Sequence, residues 1–156
     1  MLSDLLATWP DLPAPAPMPS EATDYLRRYS VPDDIIDDLG KCCFTRWLSI
    51  GPFDLVPMVE LVKQTTGVIK VFEQGYAVVA GCRNFDPIAV DVRTRQMVYV
   101  RIPDLVEYEG EEPFDTCLIR TPLDYDQFWQ VAASEPDFPS DSYEAEDRWP
   151  RADEQG

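Results

Sequence analysis

The amino-acid sequence predicts a single α+β domain, a mainly antiparallel sheet with short helices packed on it, and three observations carry that reading. The first is period-two patterning between Gly75 and Ile102: Tyr76, Val78 and Ala80 alternate with Ala77 and Val79, Ile88 and Val90 bracket Ala89, and Val98, Val100 and Ile102 interleave with Tyr99 and Arg101. The second is the polar character and brevity of the connections, Arg83-Asn84-Phe85-Asp86 before Pro87 and then Arg93-Thr94-Arg95, which hold consecutive strands antiparallel. The third is helical spacing on either side, at Ala22, Tyr25, Leu26 and Tyr29 before the meander and at Tyr125, Phe128, Trp129 and Ala132 after it. A chain of 156 residues that is 45% hydrophobic can bury one core and is short for two.

Residues 1–19 combine a short apolar piece, Leu2 to Trp9, with DLPAPAPMP, whose alternating Pro and Ala favour an extended polyproline conformation over a packed element, so this stretch reads as a leader that either lies on the domain or stays mobile. Residues 20–134 read as the domain. Ser20 is positioned to cap a helix over Glu21–Tyr29, and a second helix is expected over Asp33–Leu39, with Pro32 near its start, acids in its first turn, Ile35, Ile36 and Leu39 as its apolar side and Gly40 as its stop. Cys43–Ile50 and Val68–Phe72 read as strands, while the stretch between Phe53 and Gly67 fits either a helical turn or an extended edge. Thr116–Arg120 is expected to be extended. Thr121-Pro122-Leu123-Asp124 then has the composition of a helix start, and the aromatic helix beyond it should pack on the sheet. Trp47 and Trp129 are assigned to the core, and Trp149 is the exposed outlier. Residues 135–156, rich in Pro, Ser, Asp and Glu without apolar periodicity, read as a flexible acidic tail.

Charge narrows the choice of partners. With 29 acidic and 13 basic residues the formal net charge is −16, which repels a phosphate backbone and attracts a basic protein. A basic protein partner is therefore expected, and neither nucleic acid nor a membrane. Histidine is absent, which removes the usual general base of serine and cysteine nucleophiles and the commonest metal ligand. Cys42, Cys43, Cys82 and Cys117 match no zinc or redox spacing and read as buried thiols. No basic segment precedes an apolar run of membrane-spanning length, and the expectation is a cytoplasmic protein.

Acid pairs such as Asp86 with Asp91, or Glu109 with Glu111 and Glu112, are hard-oxygen candidates for a divalent cation. Against a magnesium nuclease, the residues two before Lys41, Lys63 and Lys70 are Leu39, Leu61 and Val68, and no glycine-rich phosphate loop is present. The expectation is a protein with no enzymatic activity, no cofactor and no metal. The densest acidic stretch places Asp104, Glu107, Glu109, Glu111, Glu112 and Asp115 within twelve residues, in a loop or edge between two strands, and these six are the candidate partner-binding residues.

The stretch Gly81–Val100, GCRNFDPIAVDVRTRQMVYV, together with the order of elements around it, resembles the SUKH superfamily, the Smi/Knr-type proteins. The positions that carry the likeness are Gly81 and Asp86 in the turn, Ile88–Val90 and Asp91 in the strand after it, Tyr99 in the next strand, and Tyr125–Trp129 in the final helix. The glycine-rich turn of the family is here Cys82-Arg83-Asn84-Phe85, and no Asn-Gly-Gly follows the first helices. The resemblance implies an α+β immunity protein that binds and blocks a delivered toxin, often a nuclease. Two other functions fit the composition: an acidic nucleic-acid mimic that occupies the channel of a nuclease or defence complex, and a scaffold or adaptor domain.

Overall fold

In the computed structural model, which describes residues 1–44, 47–57, 60 and 66–151, six antiparallel strands form one sheet in which spatial order follows chain order. They are β1 (Leu48–Ile50), β2 (Phe53–Leu55), β3 (Tyr76–Gly81), β4 (Pro87–Asp91), β5 (Gln96–Val100) and β6 (Leu118–Asp124). The meander predicted from period-two patterning is β3–β5, with Ala77 opposite Val90 and Val90 opposite Met97. Every residue of β4 is buried, and β3 is buried up to Ala80, so both faces of the sheet are covered at its centre. That explains why apolar residues occupy both phases of the alternation. A bulge between Val78 and Ala80 shifts the register as the chain approaches the β3–β4 turn.

The helices are α1 (Leu2–Leu6), α2 (Ser20–Arg28), α3 (Asp33–Lys41), α4 (Thr66–Glu73), α5 (Ile102–Glu107), α6 (Tyr125–Ser134) and α7 (Ser142–Arg148) among the described residues, with a 3₁₀ turn over Phe114–Cys117. On α2 the apolar stripe buries Ala22 and Leu26, and on α3 it buries Ile35, Ile36 and Leu39, as their spacing predicts. The α3 helix runs through Gly40 to Lys41 instead of stopping, because Gly40 keeps a helical backbone in open space. Tyr125, Phe128, Trp129 and Ala132 of α6 are all buried, and Phe128 lies 5.3 Å from both Phe53 and Phe138 and 6.3 Å from Tyr99. Such tilted and offset ring contacts add specificity to the area they remove from water.

Several boundaries differ from expectation. Val68–Phe72 is helical: a strand would have put Lys70 on the same face as Val68 and Phe72, whereas a helix groups Val68, Val71 and Phe72 and buries Val71 and Phe72. Phe72 then meets Tyr25 at 5.0 Å and Tyr29 at 5.3 Å. Of the predicted strand Cys43–Ile50, Leu48–Ile50 is the part that pairs among the described residues, and Thr45, Arg46, Val59, Leu61 and Val62 lie outside them. Thr121-Pro122 continues β6 instead of opening a helix. The Thr121 hydroxyl donates to the Met97 carbonyl at 2.8 Å, and Pro122, which has no N–H to give, is accommodated in an outermost strand. The cap falls to Asp124, whose carboxylate accepts from the Gln127 backbone at 2.9 Å while the Gln127 side chain accepts from the Asp124 backbone at 3.2 Å.

Of the two alternatives for the leader the structure shows the one that lies on the domain, and the expected flexible tail is instead packed as far as Arg151, residues 152–156 lying outside the described residues. Leu2 and Leu6 of α1 are buried, and the Ala16 N–H donates to the Cys43 carbonyl at 2.7 Å. The buried Asp38 carboxylate receives the Leu2 N–H (3.1 Å), the Ser3 N–H (3.1 Å), the Ser3 hydroxyl and the Tyr125 hydroxyl (2.8 Å), joining α1, α3 and α6. At the other end Phe138 and Ala145 are buried, the Tyr99 hydroxyl donates to the Pro139 carbonyl at 2.8 Å, and Trp149 packs 5.9 Å from Phe138. Composition suggested an unpacked tail because the apolar anchors there, Phe138, Ala145 and Trp149, are few and widely spaced. Each nevertheless meets a site already built by the sheet.

Candidate functional site

The acidic stretch begins on α5, which starts with Pro103 in its first turn and is anchored by buried Leu105. Beyond it Tyr108 packs edge-on against Phe114 at 5.1 Å, and Phe114 lies 5.7 Å from Tyr76 of β3. Between those anchors the chain reverses at Gly110, whose φ of +93° suits a residue without a side chain. Glu107, Glu109, Glu111 and Glu112 are consequently all exposed, and Val106 beside them is 73% exposed. Among the described residues none of these four glutamates has a cationic partner.

The remaining two predicted residues serve inside the molecule. Asp104 is bound by Arg101 at 3.5 Å and Arg151 at 3.1 Å, while Glu146 takes Arg101 at 2.8 Å, so the network ties α5 to α7 and the residues after it. Asp115 pairs with Arg120 at 2.6 Å. Arg120 also donates to the Tyr76 hydroxyl at 2.6 Å and lies 3.5 Å from Asp91. The predicted six thus separate into four outward glutamates and two structural aspartates, and the segment is a helix, a loop and a 3₁₀ turn instead of a plain loop.

Asp86 and Asp91, considered for a cation, are both buried and occupied by protein donors. Asp86 accepts from the Asn84 side chain at 2.9 Å, from the Ile102 N–H at 3.2 Å and from the Ser142 N–H at 3.2 Å, drawing the β3–β4 turn, α5 and α7 together. Burial alone would raise the Asp91 pKa, but the Arg93 N–H and guanidinium and the Arg120 charge outweigh it and hold the carboxyl below its ordinary value. No group of three or more Cys, Asp or Glu side chains suited to a metal ion occurs among the described residues. Burial pushes the Cys42 thiol up to about 12 and raises that of Cys82 further, so both remain protonated at neutral pH. No helix among the described residues is long and apolar enough to cross a membrane.

Sequence reasoning missed a second exposed feature. Trp47, assigned to the core, is 55% exposed, and Phe85 is 82% exposed. The two border a groove of about 410 Å³ whose apolar lining includes Val56, Val68, Val78 and Pro87. Aromatic bulk by itself predicts burial, which is why the sequence points Trp47 inward. The available signal was Phe85 itself, an aromatic set among Arg83, Asn84 and Asp86 in a turn. Compared with protein-family models, with curated proteins and with solved structures, the chain finds no match.

Proposed function

We propose that this protein is a non-catalytic binding protein of the SUKH type that neutralises a basic toxin domain by stoichiometric association. The observation that carries the reading is the quartet Glu107, Glu109, Glu111 and Glu112, four exposed carboxylates without a cationic partner among the described residues, on a segment pinned at both ends. Four like charges held near one another repel, and a cationic surface relieves that repulsion on contact. The net charge of −16 extends the attraction to approach from any direction. The likeness of Gly81–Val100 to the SUKH hairpin supports the immunity role.

The reading is tested with the product of the adjacent reading frame, for which a small basic terminal domain is expected. The purified pair should form an equimolar complex that abolishes the toxin's activity. Changing Glu107, Glu109, Glu111 and Glu112 together to Lys should slow association by about tenfold or more and flatten its salt dependence, with less change in dissociation, because complementary charge acts mainly on encounter. An unchanged association rate and salt slope would remove the segment from the interface. Equal inhibition of several unrelated basic nucleases would favour the mimic instead.

A further inference from the structure

The β3–β4 turn has an arrangement the fold does not require. Phe85 N–H donates to the Cys82 carbonyl at 3.0 Å and Cys82 N–H to the Asp86 carbonyl at 2.9 Å, closing a tight loop in which Phe85 sits at φ 69°. That left-handed position in a hairpin loop ordinarily holds glycine, and a bulky residue there is uncommon. The ring is 82% exposed, so the conformation is not repaid by burial. Strained backbone that displays an unburied aromatic beside an apolar groove is the kind of observation from which a binding role is inferred.

Charge indicates what the groove receives. Arg83 lines both the apolar groove and a second cleft of about 530 Å³, which Glu135, Asp137 and Glu144 border. Glu135 is paired with Arg148 at 2.9 Å and Glu144 accepts from Ser140 at 3.0 Å, whereas Asp137 is exposed with no cationic partner among the described residues. The groove itself holds Asp54 and Arg83, and the second cleft, which shares Arg83 with it, adds Glu135, Asp137 and Glu144, so four carboxylates line the two clefts against the one guanidinium of Arg83, with Arg148 paired to Glu135 from outside the lining. Volume is adequate, since pockets of about 300 to 1,000 Å³ enclose small ligands.

We propose that the groove between Trp47 and Phe85 seats an apolar side chain of a basic protein segment, whose flanking cations meet Asp137 and the carboxylates beside it. This rests on the reading that the partner is a basic protein, and it adds where the anchor docks. The glutamate quartet governs approach, and the groove governs residence, because buried aromatic anchors act on dissociation.

The probe is a fluorescein-labelled peptide with a central Trp flanked by Arg in a Gly-Ser background, compared with one whose Trp is Gly and one whose Arg residues are Glu. Fluorescence anisotropy with the full chain should detect binding of the first peptide only. Phe85→Gly should weaken it by about tenfold or more, as for a modest hot spot, while raising Tm by roughly 1–3 °C through relief of the left-handed strain. Trp47→Ala should weaken it similarly, and Asp137→Lys should weaken it with a reduced salt slope. Equal binding of the three peptides, no binding of any, or affinity unchanged by Phe85→Gly would overturn the proposal. Concentration-dependent dimerisation abolished by Phe85→Gly in sedimentation equilibrium would overturn it in favour of a second copy. Because the probes are synthetic, failure here leaves complex formation with the toxin standing, and failure of the toxin test leaves peptide binding standing.

Discussion

In the β4–β5 turn Arg95 adopts φ 68°, and its guanidinium reaches Asp34 on α3 at 2.9 Å and Asp126 on α6 at 3.5 Å; in the β3–β4 turn Phe85 adopts φ 69°, and its ring stands in solvent. The backbone cost is similar, about 1–2 kcal/mol for a residue with a side chain in that region. At Arg95 the cost is offset within the fold, since the side chain links two helices and the Arg95 carbonyl accepts the Tyr125 N–H at 2.9 Å. At Phe85 no comparable link is visible among the described residues, so two turns with the same backbone conformation differ in what their side chains secure.

The largest expected effect comes from the buried carboxylate under the Phe85 turn. Asp86→Ala leaves the Ile102 and Ser142 N–H groups without their acceptor and should cost about 3 kcal/mol, at roughly 1–3 kcal/mol per stranded donor, read as a fall in the urea midpoint at constant m. A loss within the scatter of ordinary surface substitutions would mean that Asp86 does not organise this end of the molecule. Acid should act next, and on the other turn. The Asp91 carboxyl is held below its ordinary value of 3.8, so its stabilising contribution is complete above that pH and is lost as pH falls through the lower folded value. In acid titration followed by circular dichroism, Asp91→Asn should lose stability at neutral pH and show a shallower decline below about pH 4 than the parent. A parallel decline in both proteins would contradict the assignment.

Glycine substitution compares the two turns directly. Arg95→Gly removes strain together with both ion pairs and should lower stability by up to about 1 kcal/mol, with Arg95→Ala lower still because alanine keeps the left-handed penalty. Phe85→Gly should raise it. Equal signs for Arg95→Gly and Phe85→Gly in thermal melts would erase the distinction between the turns. The smallest effect per residue belongs to the glutamate quartet: exchanging any one of the four for Lys should change stability by no more than about 0.5 kcal/mol, since the groups are exposed and have no cationic partner among the described residues. A larger loss would place them in the architecture and not at an interface.

Much of the candidate site was legible, though unevenly. Density alone singled out the stretch from Asp104 to Asp115, but density does not distinguish Glu107, which faces water, from Asp104, which is held by Arg101 and by Arg151 forty-seven residues away. Trp47 and Phe85 were harder, because an aromatic side chain is equally consistent with core and surface until its neighbours are known.

The alternation of Tyr76–Ile102, the stripes of Ile35, Ile36 and Leu39 on α3 and the aromatic face of α6 are local patterns, and a local pattern is sufficient where backbone period and side-chain spacing agree. Tertiary contacts decided the rest. Val68–Phe72 became helical because α2 offers Tyr25 and Tyr29 to Phe72. The two ends of the chain joined the core because Asp38 accepts the first backbone N–H groups of α1 and Asp86 that of Ser142. In each case the free energy that orders the segment is gained against residues far away in the chain. No window of sequence contains both partners, which is why composition read those segments as unpacked.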